Sequence, residues 1–145
     1  MKKILVFCAA LLSSVAMFAN DVLVTVDQMP EPAQLFLKTY FQEDNIAYVT
    51  ADRAITFVTG YEVRLSDGTE IEFQRNGSLK KIECKMRPMP EGIVPAKMVA
   101  YIQASFPNVL IKEYKIDYFG QKIELTNGLE LIFDNAGNPR GIDNR

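Results

Sequence analysis

The feature that most constrains the fold is a similarity between two stretches of the chain that lie sixty positions apart. Residues 29–31 recur as residues 89–91, and the stretch 63–73 aligns with the stretch 123–133. The residues that are identical to their counterparts at this offset include Leu65, Gly68, Glu70, Phe73 and Gly77. These matches fall on turn positions and on apolar residues between the turns. Self-similarity at a fixed offset is typical of one structural unit that is present twice.

We divide the chain accordingly into a first repeat, 20–86, and a second repeat, 87–145. In each repeat a Pro-rich entry precedes apolar residues at the three-to-four spacing of an amphipathic helix. These stripes comprise Ala33, Phe36, Leu37, Tyr40 and Phe41 in the first repeat, and Val94, Met98, Ile102 and Phe106 in the second. The second stripe spans more residues, which predicts a second helix about one turn longer than the first. The first repeat instead has a longer first hairpin.

The segments that follow each helix alternate strictly between apolar and polar residues. Val63 and Leu65 alternate with Glu62 and Arg64, and the turn 66–69 leads into the next strand. Strict alternation indicates a sheet with one buried face and one solvent-exposed face. The helix of each repeat is the natural cover for the buried face. We therefore predict an α+β fold in which one antiparallel sheet of about eight strands carries two helices on one face.

The N-terminus has the layout of a cleaved export signal. Lys2 and Lys3 precede an apolar run, and small residues end that run at Ala19. The run is shorter than the roughly 20 apolar residues that span a bilayer. Cys8 lies within the run, too early for the first residue of a mature lipoprotein, so it belongs to the signal. We predict a signal peptide at 1–19, no membrane span, and a mature chain in the periplasm or at the cell surface.

Composition excludes several classes of function. The chain contains no His, which removes the side chain best suited to proton transfer near neutral pH and the commonest metal ligand. Catalysis by a Ser or Cys nucleophile that a His activates is therefore impossible within this chain. Once Lys2 and Lys3 leave with the signal, 14 basic residues face 18 acidic ones, so nucleic acid is excluded as a partner. Cys84 is then the only cysteine, so no internal disulfide can form.

The first repeat contains an ordered series of weak motifs. They are the stretch 24–30, a helix that ends at Phe41, strand patterns at 46–49, 61–63 and 71–73, and turns at 67–68 and 76–77. This order resembles the PepSY-like, beta-lactamase-inhibitor-like family, whose members are small exported proteins of tandem α+β repeats. The resemblance covers nearly all of the mature chain, although Asn127 replaces the turn Asp in the second repeat. The family name implies a likeness to proteins that inhibit beta-lactamase with an open sheet face, and it brings no catalytic or ligand residue.

Charged residues on the predicted exposed face are the strongest candidates for a binding site. They comprise Glu62, Arg64, Glu70 and Glu72 in the first repeat, and Lys122, Glu124 and Glu130 in the second. The functional interpretation is a recognition surface for a protein or peptide. The alternative is an ordinary solvated strand face. Paired carboxylates also serve hydrolases, but that chemistry needs a cleft in which one carboxyl is desolvated.

Three further features have both a structural and a functional interpretation. Cys84 is either a strand residue or a reactive thiol, and without a neighbouring His the strand residue is favoured. The stretch 134–138 resembles the start of a calcium loop, but the remaining ligands do not follow, so a hairpin turn is favoured. Two aromatic stripes are expected in the core, with interface anchors as the alternative. The stripes comprise Ile46 and Tyr48, and Tyr114, Ile116 and Tyr118.

The sequence thus predicts an exported, non-enzymatic binding protein that has no cofactor, no metal and no catalytic residue. Its open sheet face is expected to bind a protein or peptide. Inhibition of an envelope or secreted enzyme is one form of this hypothesis. The alternative is a small-ligand or ion-sensing envelope protein, and the sequence leaves the oligomeric state open.

Overall fold

The structure, a computed structural model, describes residues 21–42 and 45–143. The predicted signal peptide, 1–19, lies outside the described residues together with Cys8, so it stays a prediction. No helix in the described part of the chain is long and apolar enough to cross a membrane.

The described residues fold into one antiparallel sheet and two α-helices. The strands are β1 (Val22–Val24), β2 (Ile46–Ala54), β3 (Phe57–Leu65), β4 (Glu70–Gln74), β5 (Leu79–Glu83), β6 (Ile111–Asp117), β7 (Gly120–Leu125), β8 (Glu130–Phe133) and β9 (Pro139–Asp143). The helices are α1 (Glu31–Tyr40) and α2 (Ala96–Ser105), and a short 3-10 helix, Val26–Gln28, precedes α1. The strands lie in chain order, each antiparallel to the one before. The α+β class and the single antiparallel sheet are confirmed.

The sheet contains nine strands within 21–42 and 45–143, rather than the predicted eight or so. The additional strand is β1, whose residues Val22–Val24 pair with residues 49–51 of β2. A strand pattern is recognised from the alternation of four to eight residues, so three residues give too little signal. β1 is a strand because β2 lies beside it, which is a tertiary property that the sequence pattern does not contain.

The two helices are each ten residues long, so the prediction of a longer second helix is wrong. Pro30 occupies the N-cap position of α1, and Pro95 occupies that of α2. Proline suits a helix start, because its φ is fixed near the helical value and it has no N–H to leave unpaired. The additional residues of the second half therefore lie before α2, in the connection from β5, and not in the helix.

Both helices pack on the same face of the sheet and form one core with it. Phe36 of α1 contacts Phe73 edge-on at a ring-centroid distance of 5.4 Å, and Tyr101 of α2 contacts Phe133 similarly at 5.8 Å. The fully buried side chains include Leu37, Val63, Leu65, Ile71, Ile82, Met98, Ile123 and Leu125. Burial of one such side chain stabilises the fold by about 1.5–3 kcal/mol. The apolar residues of the alternating strands thus form the core, as predicted.

Each helix begins directly over a hairpin turn of its own half. Gly77 in the β4–β5 turn has a φ of +87°, and Gly137 in the β8–β9 turn has a φ of +78°. A Cβ added to Gly77 would lie 2.8 Å from the Cβ of Pro30. Glycine is therefore required at position 77 twice over, by the left-handed backbone and by the close approach of α1.

Candidate functional site

The face of the sheet opposite the helices, which we call the open face, consists of the polar residues of the alternating strands. Glu62 and Arg64 lie on it because Val63 and Leu65 between and beyond them are buried under the helices. All seven predicted residues lie on the open face, namely Glu62 and Arg64 in β3, Glu70 and Glu72 in β4, Lys122 and Glu124 in β7, and Glu130 in β8. The structure does not bring them into one group, because β5 and β6 separate the first four from the last three.

A row of carboxylates crosses the open face from β4 to β9. The residues that lie directly opposite one another in successive strands are Glu70, Glu83, Glu113, Glu124, Glu130 and Asp143. The sequence pattern did not indicate Glu83 and Glu113, which join the two predicted groups. Alternation predicts which face of the sheet a residue occupies. It does not predict that β5 pairs with β6, because the long connection that contains α2 separates these strands in the chain.

A row of lysines runs beside the carboxylate row at the centre of the open face. Lys81, Lys115 and Lys122 lie directly opposite one another in β5, β6 and β7. They are displaced from the carboxylates by two residues along each strand, which is about 7 Å. Lysine side chains are long enough to reach across that distance. The centre of the open face therefore carries two parallel stripes of opposite charge.

In the first half, ion pairs connect the predicted residues to one another. The Arg64 guanidinium lies 3.2 Å from the Glu62 carboxylate and also contacts Glu70. Partial burial favours the protonated form of Glu70, but hydrogen bonding with Glu83 and the charge of Arg64 together lower the pKa of Glu70. The Glu72 carboxylate is 3.3 Å from the Nζ of Lys80. Arg64 and Lys80 thus compensate part of the negative charge in this region of the open face.

In the second half, two lysines each hold two carboxylates. The Nζ of Lys112 lies 2.9 Å from Glu124 and 3.9 Å from Glu83. The Nζ of Lys122 lies 2.9 Å from Glu130 and 3.4 Å from Asp143. The lysines therefore compensate the repulsion that carboxylates directly opposite one another would otherwise create.

Glu113 lies at the centre of the open face, directly between Glu83 and Glu124. Partial burial raises its pKa, Lys81 at 3.5 Å opposes that rise, and the facing charges of Glu83 and Glu124 add to it. Lys81 responds in the complementary way, since burial disfavours its charge but Glu113 and neighbouring carboxylates raise its pKa overall. Ionised Glu113 is consequently less favourable than ionised Glu70, whose pKa is lowered.

The aromatic stripes divide between the core and the surface. Tyr114 is buried, as expected, where its hydroxyl donates a hydrogen bond to the Gln121 side chain and burial raises the pKa of Tyr114 to about 12. Tyr48 lies on the open face opposite Arg64, because a bulge between Ile46 and Tyr48 shifts the alternation. Tyr118 lies beyond the end of β6 and is 88% exposed. The expectation of core positions is therefore wrong for Tyr48 and Tyr118.

Two other candidate groups have structural roles. Cys84 is buried, and burial raises the pKa of its thiol, so the reactive thiolate is disfavoured. The Asp134 carboxylate accepts hydrogen bonds from the backbone N–H of Asn138 at 2.8 Å, the backbone N–H of Ala136 at 3.0 Å and the Arg140 guanidinium at 2.7 Å. The Asn138 contacts, followed by that of Arg140, lower the pKa of Asp134 to about 2. The stretch 134–138 is a turn whose carboxylate is already engaged.

Metal binding and hydrolysis find little support in the described geometry. Within 21–42 and 45–143, no three His, Cys, Asp or Glu side chains are grouped so that they could hold a metal ion. A cleft of about 680 Å³ includes Asp52, Gly60 and Lys80, and a mainly apolar groove of about 650 Å³ lies between α2 and the connection 88–95. Both are open to solvent, whereas carboxylate hydrolysis requires an enclosed acidic pocket.

Comparison with known proteins gives a family match and similar solved structures. A family model described as "Putative beta-lactamase-inhibitor-like, PepSY-like" matches residues 59–140. A Bacteroides thetaiotaomicron structure, described as a "putative calcium-regulated periplasmic protein", is 30% identical with a TM-score of 0.79, over 86% of this chain and 97% of that one. A "putative periplasmic protein" of the DUF2874 family from Bacteroides vulgatus is 28% identical with a TM-score of 0.79, over 86% and 98%. No curated protein matches the chain.

Proposed function

Because the chain belongs to the PepSY-like, beta-lactamase-inhibitor-like family, we propose that it is an exported, non-enzymatic binding protein that inhibits an envelope or secreted enzyme. Its open face, with Glu62, Arg64, Glu70 and Glu72 at one side and Lys122, Glu124 and Glu130 at the other, binds a protein or peptide. The periplasmic descriptions of the similar structures support a location in the cell envelope.

The observation that carries this proposal is the segregation of charge on the open face. A face that serves only solubility would interleave the two signs, since like charges directly opposite one another destabilise an antiparallel sheet. At the centre of this face, in β5, β6 and β7, the carboxylates occupy one row and the lysines the next. Ordered stripes of opposite sign favour one orientation of a partner with complementary charges, and they accelerate its association.

The same contacts support a non-enzymatic role. General acid–base catalysis requires a titratable group within reach of a substrate and poised near the working pH. The carboxylates of the open face are instead ion-paired with Arg64, Lys81, Lys112 and Lys122. With no His in the chain, the open face has recognition chemistry rather than proton-transfer chemistry.

We also propose that 20–86 and 87–145 are copies of one unit. In each half a helix begins over a glycine turn, at Gly77 and at Gly137. In each half a second glycine approaches the carbonyl of the core phenylalanine so closely that a Cβ would clash, Gly60 with Phe73 and Gly120 with Phe133. Such paired constraints at a constant offset support duplication. On this proposal the open face is a continuous surface made from two equivalent halves.

The experiment that tests the binding surface is a charge reversal on β3 and β4. The variant combines Glu62→Lys, Arg64→Glu, Glu70→Lys and Glu72→Lys, and its matched control reverses Glu31 and Lys38 on the exposed side of α1. The exported protein and both variants are used to capture partners from envelope extract, and captured enzymes are assayed for inhibition. We expect wild type and control to capture and inhibit the same enzyme, and the reversed variant to lose both activities.

Salt provides an independent readout of the same surface. At about 1 M salt the Debye length falls to about 3 Å, so binding through charge stripes should weaken strongly. Capture that survives both the reversal and high salt would refute the open face as the binding surface. Capture of a partner without inhibition would support the binding function and refute the inhibitor function.

As a second candidate we propose calcium sensing, because a similar structure is described as calcium-regulated. Carboxylate oxygens are the ligands that Ca²⁺ prefers, and the open face presents a row of them, although no three of the described carboxylates are grouped to hold an ion as they stand. Binding would have to displace ion pairs such as that between Lys112 and Glu124. A thermal shift and calorimetric heat with CaCl₂, absent with MgCl₂, would support this role, and no response to calcium would remove it.

A further inference from the structure

Four hairpin turns lie at the same end of the sheet, which we call the hairpin end. Because every strand is antiparallel to the one before, the turns β2–β3, β4–β5, β6–β7 and β8–β9 share one end. The turns β3–β4 and β7–β8 lie at the opposite end, where β5 also ends and β6 begins. The hairpin end is distinct from the open face, which is formed by the middle of the strands.

Two of the four turns present large apolar side chains to solvent. At the β2–β3 turn, Ile55 is 89% exposed and Phe57 is 50% exposed. At the β6–β7 turn, Tyr118 is 88% exposed and Phe119 is 89% exposed. These are the corresponding first hairpins of the two halves. Each turn thus carries two neighbouring exposed apolar side chains, a feature of interaction sites, and none of the four belongs to the core.

The β6–β7 turn is held in one conformation despite its exposure. The Asp117 carboxylate accepts hydrogen bonds from the backbone N–H of Phe119 at 2.8 Å and of Gly120 at 3.1 Å. The rings of Tyr118 and Phe119 contact each other edge-on at 5.4 Å. The turn therefore exposes two aromatic rings while two of its N–H groups are paired, which lowers the cost of moving it into a less polar medium.

The β2–β3 turn has cations beside its apolar residues. Arg53 is exposed two residues before Ile55, and the guanidinium of Arg75 lies over the Phe57 ring at 5.8 Å from its centroid. Neither arginine forms a salt bridge with any described residue, whereas Arg140 at the same end is paired with Asp134. Arg53 and Arg75 thus present unpaired guanidinium groups next to Ile55 and Phe57, with the Asp52 carboxylate beside Arg53 in the chain and in the same cleft as Arg75.

We propose that the hairpin end docks on the surface of an anionic phospholipid bilayer, with Ile55, Phe57, Tyr118 and Phe119 entering the headgroup region. Aromatic side chains favour that depth, and neighbouring arginines attract anionic lipid. The four side chains project from two separate turns, whereas a protein partner is normally bound by one contiguous patch with anchors at its centre. Docking of this kind is reversible, because a small apolar contact with an electrostatic contribution binds a bilayer only weakly.

The experiment measures binding of the exported protein to vesicles of phosphatidylcholine with and without phosphatidylglycerol. Mass spectrometry first establishes that no apolar leader remains, since a retained leader would itself bind lipid. We expect cosedimentation with the anionic vesicles, and a loss of at least tenfold in partition coefficient for Tyr118→Ser with Phe119→Ser and for Ile55→Ser with Phe57→Ser. The control replaces Leu35 and Met86 by Ser, two exposed apolar residues away from the hairpin end, and should bind like wild type.

Two further variants separate the contribution of the arginine charges to vesicle binding from that of the apolar side chains. Arg53→Gln with Arg75→Gln should reduce binding to anionic vesicles to the level seen with phosphatidylcholine alone. Because the chain contains no Trp, Phe119→Trp provides a single tryptophan whose emission should shift to the blue with anionic vesicles. No cosedimentation at low salt, or binding that none of the hairpin-end variants changes, would overturn the proposal. Loss of a captured protein in the Ser variants without vesicle binding would also overturn it, in favour of a protein partner.

Discussion

The two faces of the sheet are built from alternating residues of the same strands, yet they have different physical roles. On the helix-covered face, Val63 and Ile71 are fully buried, and the apolar area removed from water stabilises the fold. On the open face, their neighbours Glu62 and Glu70 are partly exposed and ion-paired. Partly exposed ion pairs contribute little to stability, about 0–1 kcal/mol each. The residues that stabilise the fold and the charged residues that we propose for binding are thus separated by a single residue step along each strand.

The largest change in the free energy of unfolding is expected for substitutions on the helix-covered face. Phe73→Ala and Phe133→Ala each remove a fully buried ring that contacts a helix residue edge-on. Each should lower the free energy of unfolding by about 3–5 kcal/mol, measured by urea denaturation. Phe119→Ala, the same change at an exposed ring, is the control and should alter stability by no more than about 0.5 kcal/mol. Equal effects at buried and exposed positions would break the distinction between the regions.

A smaller change in the free energy of unfolding is expected for a substitution where α1 contacts the β4–β5 turn. Gly77→Ala should lower the free energy of unfolding by about 2–4 kcal/mol, because it adds a clash with the start of α1 to a left-handed backbone. Gly68 has nearly the same φ, +88°, but no atom within 4 Å of an added Cβ. Gly68→Ala should therefore show only the backbone cost, about 1–2 kcal/mol. If the two variants were equally stable, the close approach of the helix would not matter.

The Asp134 turn predicts a dependence of stability on pH in the acidic range. Its folded pKa, about 2, lies below the ordinary value of 3.8. The ionised Asp134 carboxylate therefore stabilises the folded protein fully above pH 3.8, and this stabilisation is lost as the pH falls towards 2. Comparison of wild type with Asp134→Asn by denaturation at several pH values should show a stability difference that shrinks over this range. A difference that stays constant with pH would contradict the assignment.

The smallest effects are expected on the open face, and they should differ in sign. The pKa of Glu113 is raised in the folded protein, so its ionised form is unfavourable and Glu113→Gln should increase stability at pH 7. The pKa of Glu70 is lowered, so Glu70→Gln should decrease it. Each change should be below about 1 kcal/mol. The gain from Glu113→Gln should disappear as the pH falls below the folded pKa. Two changes of the same sign would refute this account of the carboxylate row.

Alternation in the sequence was sufficient to place the predicted charged residues, because the period of two in a strand fixes the face of every residue. It was insufficient where one residue breaks the period, as the bulge before Tyr48 shows. Helix length could not be predicted from the spacing of Val94 and Phe106, since Pro95 delays the start of α2. The exposure of Tyr118 depends on β6 ending at Asp117, which apolar spacing alone did not reveal.

The sequence by itself determined the fold class, the buried and exposed sets of strand residues, and the absence of His-based chemistry, because these follow from local periodicity and composition. Only the tertiary structure decided that β5 and β6 are neighbours, and hence that Glu83 and Glu113 complete a carboxylate row beside a row of lysines. It also decided that the exposed tips of two distant hairpins lie at one end of the sheet. The physical reason is that strand pairing is a non-local contact, whereas the sequence pattern records only which way each side chain points.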